Sequence, residues 1–128
     1  MKGNIHLNNN ELKIFIEYDP PNWNEYINAE RTNFYKANKI KQKEKMLIKL
    51  LVKEKYKGAY PVELIVKPHF KDHRRDLDNT RIKGLIDGLV STGTLKNDNL
   101  TYIQRIVLEP VFDDKIGIEM EIREWKKQ

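Results

Sequence analysis

Leu12, Ile14, Ile16 and Tyr18 alternate with Lys13, Phe15 and Glu17, the two-residue period of a strand with one strongly apolar face. Asp19-Pro20-Pro21 should end it, because consecutive prolines cannot continue a hydrogen-bonded ladder and Asn22-Trp23-Asn24 is turn-rich. From Ala37 the period becomes helical. Ile40, Leu47, Ile48 and Leu51 share an arc of about 100°, while Lys39, Lys43, Lys45, Lys49 and Lys53 fall mostly outside it. Glu44 falls inside the arc, which requires either a place near the helix surface or a lysine partner. Lys57-Gly58, a basic last turn followed by glycine, predicts the helix end.

Val62, Leu64 and Val66 mark the next strand, over 60–70, and Ile65 on the opposite side predicts a central strand covered on both faces. The polar loop KDHRRDLDN leads to Ile82, Leu85, Ile86 and Leu89, spaced i, i+3, i+4 and i+7 as on one side of a helix. Gly84 and Gly88 on that helix form a small-residue groove suited to close packing, and Ser91-Thr92-Gly93 should stop it. After the loop TLKNDN, strands are expected over 102–108 and 115–123, joined through Pro110 and Asp113-Asp114. The string β-α-β-α-β-β predicts an α/β (α+β) fold with a mixed sheet and right-handed crossovers, one domain spanning residues 1–128.

Charge sharpens this picture. The 128 residues carry 24 Lys plus Arg against 19 Asp plus Glu, net +5, but unevenly. Residues 36–57 hold nine Lys and two Glu, and residues 109–124 hold six acids and two basic groups. Clustered lysine is the footprint of a phosphate-binding surface, although a lysine-rich helix is commonly only a solvated face. The absence of Cys removes disulfides, thiolate zinc sites, iron–sulfur clusters and a Cys nucleophile, and suits a reducing compartment. No run approaches the roughly 18 apolar residues of a membrane span, and MKGNIHLNNNELKIF lacks the apolar core of a secretion signal. A cytoplasmic protein without membrane contact is expected.

Asp76-Leu77-Asp78 precedes the second helix. If it is extended, its two carboxylates project to one side while Leu77 points inward. Two carboxylates at one point need a cation, and hard oxygen donors suit Mg²⁺, with Mn²⁺ able to substitute. The simpler role is capping, for which Asp78 or Asn79 is well placed. Five basic residues, Lys71, Arg74, Arg75, Arg81 and Lys83, surround the pair, as in a metal site built to meet phosphate. Lys83 and Asp87 could equally form an i, i+4 ion pair. Loops at one side of an α/β sheet converge, so Asp98 is a candidate third ligand. His69 and His73 with Asp72 are weaker candidates, because they fall at a strand end rather than on a helix; surface histidines near phosphate is the plainer expectation. Trp23, Tyr26, Phe34 and Tyr35 suit core packing more than base stacking.

The run RRDLDNTRIKGLIDGLVSTGTLKND resembles the RusA family of Holliday-junction resolvases, whose pattern is D-x-D-N, a following Lys, D-x-L and a Gly-containing loop closing on an acidic pair. PPNWNEYINAERTNFYKANKIK resembles the approach to that family's first helix, and the compactness of the chain is that of its phage-borne members. The resemblance implies that Asp76, Asp78 and Asp98 are catalytic metal-binding aspartates and Lys83 the catalytic lysine. Three residues separate Asn79 from Lys83 where two are usual, so Arg81 is a candidate for sharing the lysine's role. The acidic pair reads Asn97-Asp98, keeping the second carboxylate. The implied protein is a Mg²⁺-dependent endonuclease that resolves four-way DNA junctions by paired symmetric nicks. Junction symmetry argues for a homodimer, with Arg74, Arg75, Arg81, Lys43, Lys45 and Lys49 holding the DNA backbone. The rival is a non-catalytic basic nucleic-acid-binding module of the same fold.

Overall fold

The computed structural model describes residues 3–8, 11–17, 34–74, 76, 77, 80 and 82–127. Its elements are β1 (Gly3–Asn8), β2 (Glu11–Ile16), α1 (Phe34–Leu51), β3 (Val62–Phe70), α2 (Ile82–Ser91), β4 (Ile103–Leu108), β5 (Val111–Phe112) and β6 (Ile118–Glu124). The sheet order is β1-β2-β6-β3-β4, with β5 extending the β4 side of β3. β3 pairs with β4 and β5 in parallel, and the other neighbours are antiparallel, so the mixed α/β sheet expected from the sequence is present.

One strand goes beyond the pattern of the sequence. β1 pairs along its whole length with β2, Gly3 opposite Ile16 and Asn8 opposite Glu11. Its signal is short: Ile5 and Leu7 alternate over a few residues only, then two asparagines stand before Glu11. At the other end β6 starts at Ile118, three residues later than expected, just after Gly117, whose φ is +159° and whose carbonyl accepts from His69 N–H; on the opposite side of β3, β5 pairs with its exit, His69 opposite Val111 and Phe70 opposite Phe112. Pro110, which has no N–H to give a ladder, falls in the break between β4 and β5, while Glu109 N–H still donates to Val66 O.

The apolar face of the sheet comprises Leu12, Ile14 and Ile16 of β2, Val62, Leu64 and Val66 of β3, and Ile118, Met120 and Ile122 of β6, all buried against Ile48, Val52, Leu85, Leu89 and Leu95. Burying a side chain of this size contributes about 1.5–3 kcal/mol. The second face of β3 is covered differently from the expectation of an apolar layer on both sides. Glu63, Ile65 and Lys67 share it with Arg123, Glu121 and Glu119 across the β3–β6 register. Lys67 lies 3.5 Å from both Glu119 and Glu121, Lys13 reaches Glu121, and Glu63 joins Arg105 to Arg123. Ile65 is buried inside this ionic layer, which explains an isolated apolar residue on that face.

α1 ends at Leu51, not at Gly58. Val52 N–H closes the last turn on Ile48 O; thereafter the chain runs to Tyr56, whose N–H donates to Thr94 O. Val52 and Tyr56 are both buried, and an i, i+4 spacing serves either conformation, so the pattern alone could not separate them.

The helices pack through the glycine groove. A Cβ on Gly84 would lie 2.8 Å from the Glu44 carboxylate oxygens, and one on Gly88 would lie 2.3 Å from Ile48 Cδ1. Successive rungs 44/84 and 48/88 run in the same sense, so α1 and α2 lie side by side in parallel. Gly88→Ala therefore sets a gain in helix propensity of about 1 kcal/mol against overpacking of about 1–3 kcal/mol, and a net loss near 1 kcal/mol is expected in urea unfolding. Ile48→Val removes Cδ1 and alone should cost about 0.5–1.5 kcal/mol. The double variant should lose less than the sum of the two; strict additivity would show that this contact does not limit the packing.

Candidate active site

β3 delivers its C-terminal end to the segment that carries the acidic motif. Asp76 is exposed there, Leu77 is half-buried as the alternation requires, and Thr80 N–H donates to Leu77 O to turn the chain into α2. Asp78, Asn79, Arg75 and Arg81 lie outside the described residues. Lys83, in the first turn of the motif's helix, is 79% exposed and among the described residues makes a long 4.0 Å contact with Asp87, so it can turn toward a substrate at little cost. Arg74 forks onto Asp72, with Nε and Nη2 at 3.0 and 2.7 Å from the same carboxylate oxygen, while Arg74 N–H donates to the other. This pairing holds the Asp72 carboxyl below the ordinary carboxylate range, and the Arg74 side chain remains 88% exposed.

The sequence leaves Glu44 either near the surface or beside a lysine. It is 2% exposed, pressed on Gly84 in the first turn of α2. That contact sets Lys43 and Lys45, both exposed and flanking Glu44, level with the end of α2 that follows the acidic motif; Lys49 continues the Lys45 side one turn on. The basic helix is thus fixed beside the candidate site by a buried acid, which periodicity could register only as an anomaly.

Asp98 lies elsewhere. α2 stops where expected, at Gly93, whose φ of +80° is in the left-handed region that favours glycine. Leu95 is then buried in the core, Lys96 N–H donates to Tyr60 OH, and Val62 N–H donates to Tyr102 O. These bonds fix Asn97 and Asp98 at the start of β3 and β4, with Asp98 exposed and its N–H bonded to Asn97 Oδ1. Asp76 follows the opposite end of β3. Because β3 and β4 are parallel, the loops on either side of α2 occupy opposite ends of the sheet, separated by a helix about 15 Å long. Asp76 and Asp98 of one chain are therefore not brought together.

His73 is exposed, as a surface histidine should be, whereas His69 is not. The His69 side chain is only 6% exposed, and its Nδ1 lies 2.9 and 2.8 Å from the two oxygens of Asp113 in the loop between β5 and β6. His73 stacks on Phe112, ring centroids 4.2 Å apart. The partner of His69 is 44 residues away, so no local spacing could have disclosed it. Among the described residues no group of three His, Asp or Glu side chains is placed to hold a metal ion. The exposed carboxylates of Asp76 and Asp98 are nevertheless the hard, acceptor-only oxygen donors that Mg²⁺ takes.

The fold is a mixed sheet with two parallel helices, and the segment carrying the acidic motif leaves the C-terminal end of its central strand at Asp76. The family model of endodeoxyribonuclease RusA matches residues 8–123, and the chain belongs to that family. Membership implies a Holliday-junction-resolving endonuclease of DNA recombination, and family members generally depend on a divalent metal ion. Comparison with curated proteins gives no match. No helix among the described residues is long and apolar enough to cross a membrane.

The His69 ring beside Asp113, with the Lys115 N–H as a further donor, holds the Asp113 carboxyl below the ordinary carboxylate range. A depressed acid stabilises the folded state above its unfolded midpoint and loses that contribution as pH falls through the folded value. Asp113→Asn should therefore show a shallower loss of thermal stability than wild type as pH falls from about 5 toward 2. Equal acid slopes would mean that the ionised Asp113 carboxylate contributes nothing to the fold.

Proposed function

We propose that residues 1–128 form a single nuclease domain that acts as a homodimer, resolving four-way DNA junctions by paired nicks with Mg²⁺. The observation that carries this reading is the placement of Asp98 at the far end of α2 from the D-x-D-N motif. Ligands of one Mg²⁺ sit about 2.0–2.1 Å from the ion, and a single chain separates these carboxylates by roughly the length of the helix. A second copy, turned by a two-fold axis, brings Asp98 of one subunit to Asp76 and Asp78 of the other. Two such composite sites per dimer match the two nicks that a symmetric junction requires.

Asp76, Asp78 and Asp98 would hold the metal, which when bound supplies Lewis acidity and a nucleophilic water for phosphodiester hydrolysis at neutral pH. Lys83 approaches the reacting phosphate and offsets charge that grows on its oxygens, an interaction strongest in the transition state. Arg81 shares that duty or holds the adjacent phosphate. Arg74 and Arg75 grip the backbone beside the motif; Arg74 exchanges its exposed Asp72 partner for phosphate. Lys43, Lys45 and Lys49 extend the grip along α1, recognising shape and charge rather than sequence. Cytoplasmic action on DNA follows from this reading.

Asp78→Asn and Asp98→Asn should each abolish junction cleavage while leaving binding intact or tighter, since each removes a negative charge near DNA. Mixed and allowed to exchange subunits, the two inactive proteins should recover nicking at one of the two sites, because one composite site in the heterodimer then holds all three aspartates. Absence of recovery after exchange verified by tagged subunits would place each site within one chain. Mg²⁺ and Mn²⁺ should support turnover and Ca²⁺ only binding; cleavage in EDTA would remove the metal from the mechanism.

The basic helix has its own test. Replacing Lys43, Lys45 and Lys49 together with Gln should flatten the salt dependence of junction binding by about one unit of slope for each phosphate left without its cation. An unchanged slope would remove α1 from the DNA interface.

A further inference from the structure

Among the described residues the sheet has two open edges, β1 on one side and the line of β4 and β5 on the other. The second edge carries three exposed large apolar side chains, Leu100, Ile106 and Phe112, which are 77%, 46% and 48% exposed. Leu100 and Phe112 each stand six residues from Ile106. Ile106 is in register with Leu64 and Phe112 with Phe70, so both lie on the helix side of the sheet. Glu109 N–H donates to Val66 O; by the alternation of a parallel ladder Val107 also serves β3, and Ile106 and Leu108 direct their own N–H and C=O outward. Pro110 follows and has no N–H to offer.

An open edge is a template for another strand, and the features of this one select which. About a two-fold axis at Ile106, an antiparallel copy exchanges both backbone bonds at that residue, sets Leu100 of each copy against Phe112 of the other, and stops at Pro110. On the opposite face exposed Arg105 lies diagonally across from the partner's exposed Glu109, an opposite-charge pair that the symmetry repeats. Polarity does the rest. β4 begins just after Asp98 and ends beside the exit of β3, so an antiparallel β4 carries the partner's Asp98 to the end of the sheet where Asp76 lies. The chain leaving β3 already leans over this edge, for His73 stacks on Phe112 three residues before Asp76. β1 cannot serve, because it is three strands from β3, about 14 Å in each copy. Met46 and Leu50, also exposed, sit on the lysine-rich α1, where a second copy meets its own positive charge.

We infer that a second copy of this chain docks on the β4–β5 edge, joining the two sheets through antiparallel β4 strands about a two-fold axis at Ile106, with Leu100 and Phe112 as apolar anchors. The inference rests on the homodimeric nuclease reading above and names the surface that the reading leaves open. The assembly closes at two subunits, since each copy consumes the same edge and Pro110 ends the ladder.

The chain has no Cys, so a single introduced thiol reports only on its own neighbours. Ile106→Cys in the full-length protein, treated with a short bismaleimide, should give a covalent dimer of twice the 15.3 kDa chain mass. Met46→Cys, which is at a still more exposed position on α1, should not. Leu100→Cys mixed with Phe112→Cys, after subunit exchange, should cross-link more readily than either variant alone. Ile106→Arg, at an exposed position, should keep the far-UV circular dichroism of the wild type, scatter light as a monomer where the wild type is a dimer, and lose junction cleavage. If Ile106→Arg does not fold, the cross-linking decides by itself. A folded Ile106→Arg that remains dimeric, a monomeric wild type, or no cross-link in Ile106→Cys where light scattering shows a dimer overturns the inference. The two readings separate cleanly. If Ile106→Cys cross-links but exchanged Asp78→Asn and Asp98→Asn subunits recover no nicking, the seam stands and the shared site falls; recovery without a cross-link at residue 106 gives the reverse.

Discussion

Because β3 and β4 run parallel, the chain between them must travel the length of the sheet, and α2 is the segment that does so. Everything at the candidate site follows from that constraint. Asp76 ends up at one end of the helix and Asp98 at the other: Thr80 turns onto Leu77 at the first end, while Leu95 is buried and Lys96 is tied to Tyr60 at the second. An antiparallel pair could have been joined by a short turn with both loops on one side. A parallel pair cannot, which is why the proposed composite site takes its third carboxylate from a second subunit.

The groove on α2 adds a second requirement. Gly84 and Gly88 let α1 approach closely enough for Glu44 and Ile48 to enter, one charged rung and one apolar. The apolar rung is ordinary packing. The charged rung places an acid in the interior at the first turn of α2, where the helix N-terminus favours negative charge. Lys43 and Lys45, on either side of Glu44, are thereby committed to the solvent side next to the acidic motif. Close packing, electrostatics and the location of the basic surface are one structural decision rather than three.

Much of this is legible in the chain. The apolar stripes of β2, β3, β6 and α2 appear as residue periods, the stop at Gly93 follows from its chemistry, and the close approach at Gly84 and Gly88 follows from their spacing. What could not be read has specific causes. Val52 and Tyr56 are spaced to suit helix and extended chain alike. β1 is a short strand with only two alternating apolar residues, stabilised by its pairing with β2. The His69–Asp113 contact joins residues 44 apart through the parallel pairing of β5 with β3. The convergence of Asp98 on Asp76 is a topological expectation, and topology within one chain runs the other way; the identity of the candidate residues comes from the D-x-D-N resemblance, whereas their proposed distribution over two subunits is a consequence of strand direction.

The charge distribution takes its meaning from the second face of the sheet. Residues 109–124 look acidic in the sequence, yet Glu119 and Glu121 are engaged with Lys67 and Lys13, and Glu63 with Arg105 and Arg123. These acids are balanced locally, so they do not form a repulsive surface toward DNA. Lys43, Lys45 and Lys49 stand exposed along α1. Internal pairing on one side of the sheet therefore concentrates the net charge on the helix side, next to the end of α2 that follows Asp76. In the proposed reading, a DNA backbone held by these lysines lies beside Asp76, and a cation between carboxylate and phosphate would offset their repulsion.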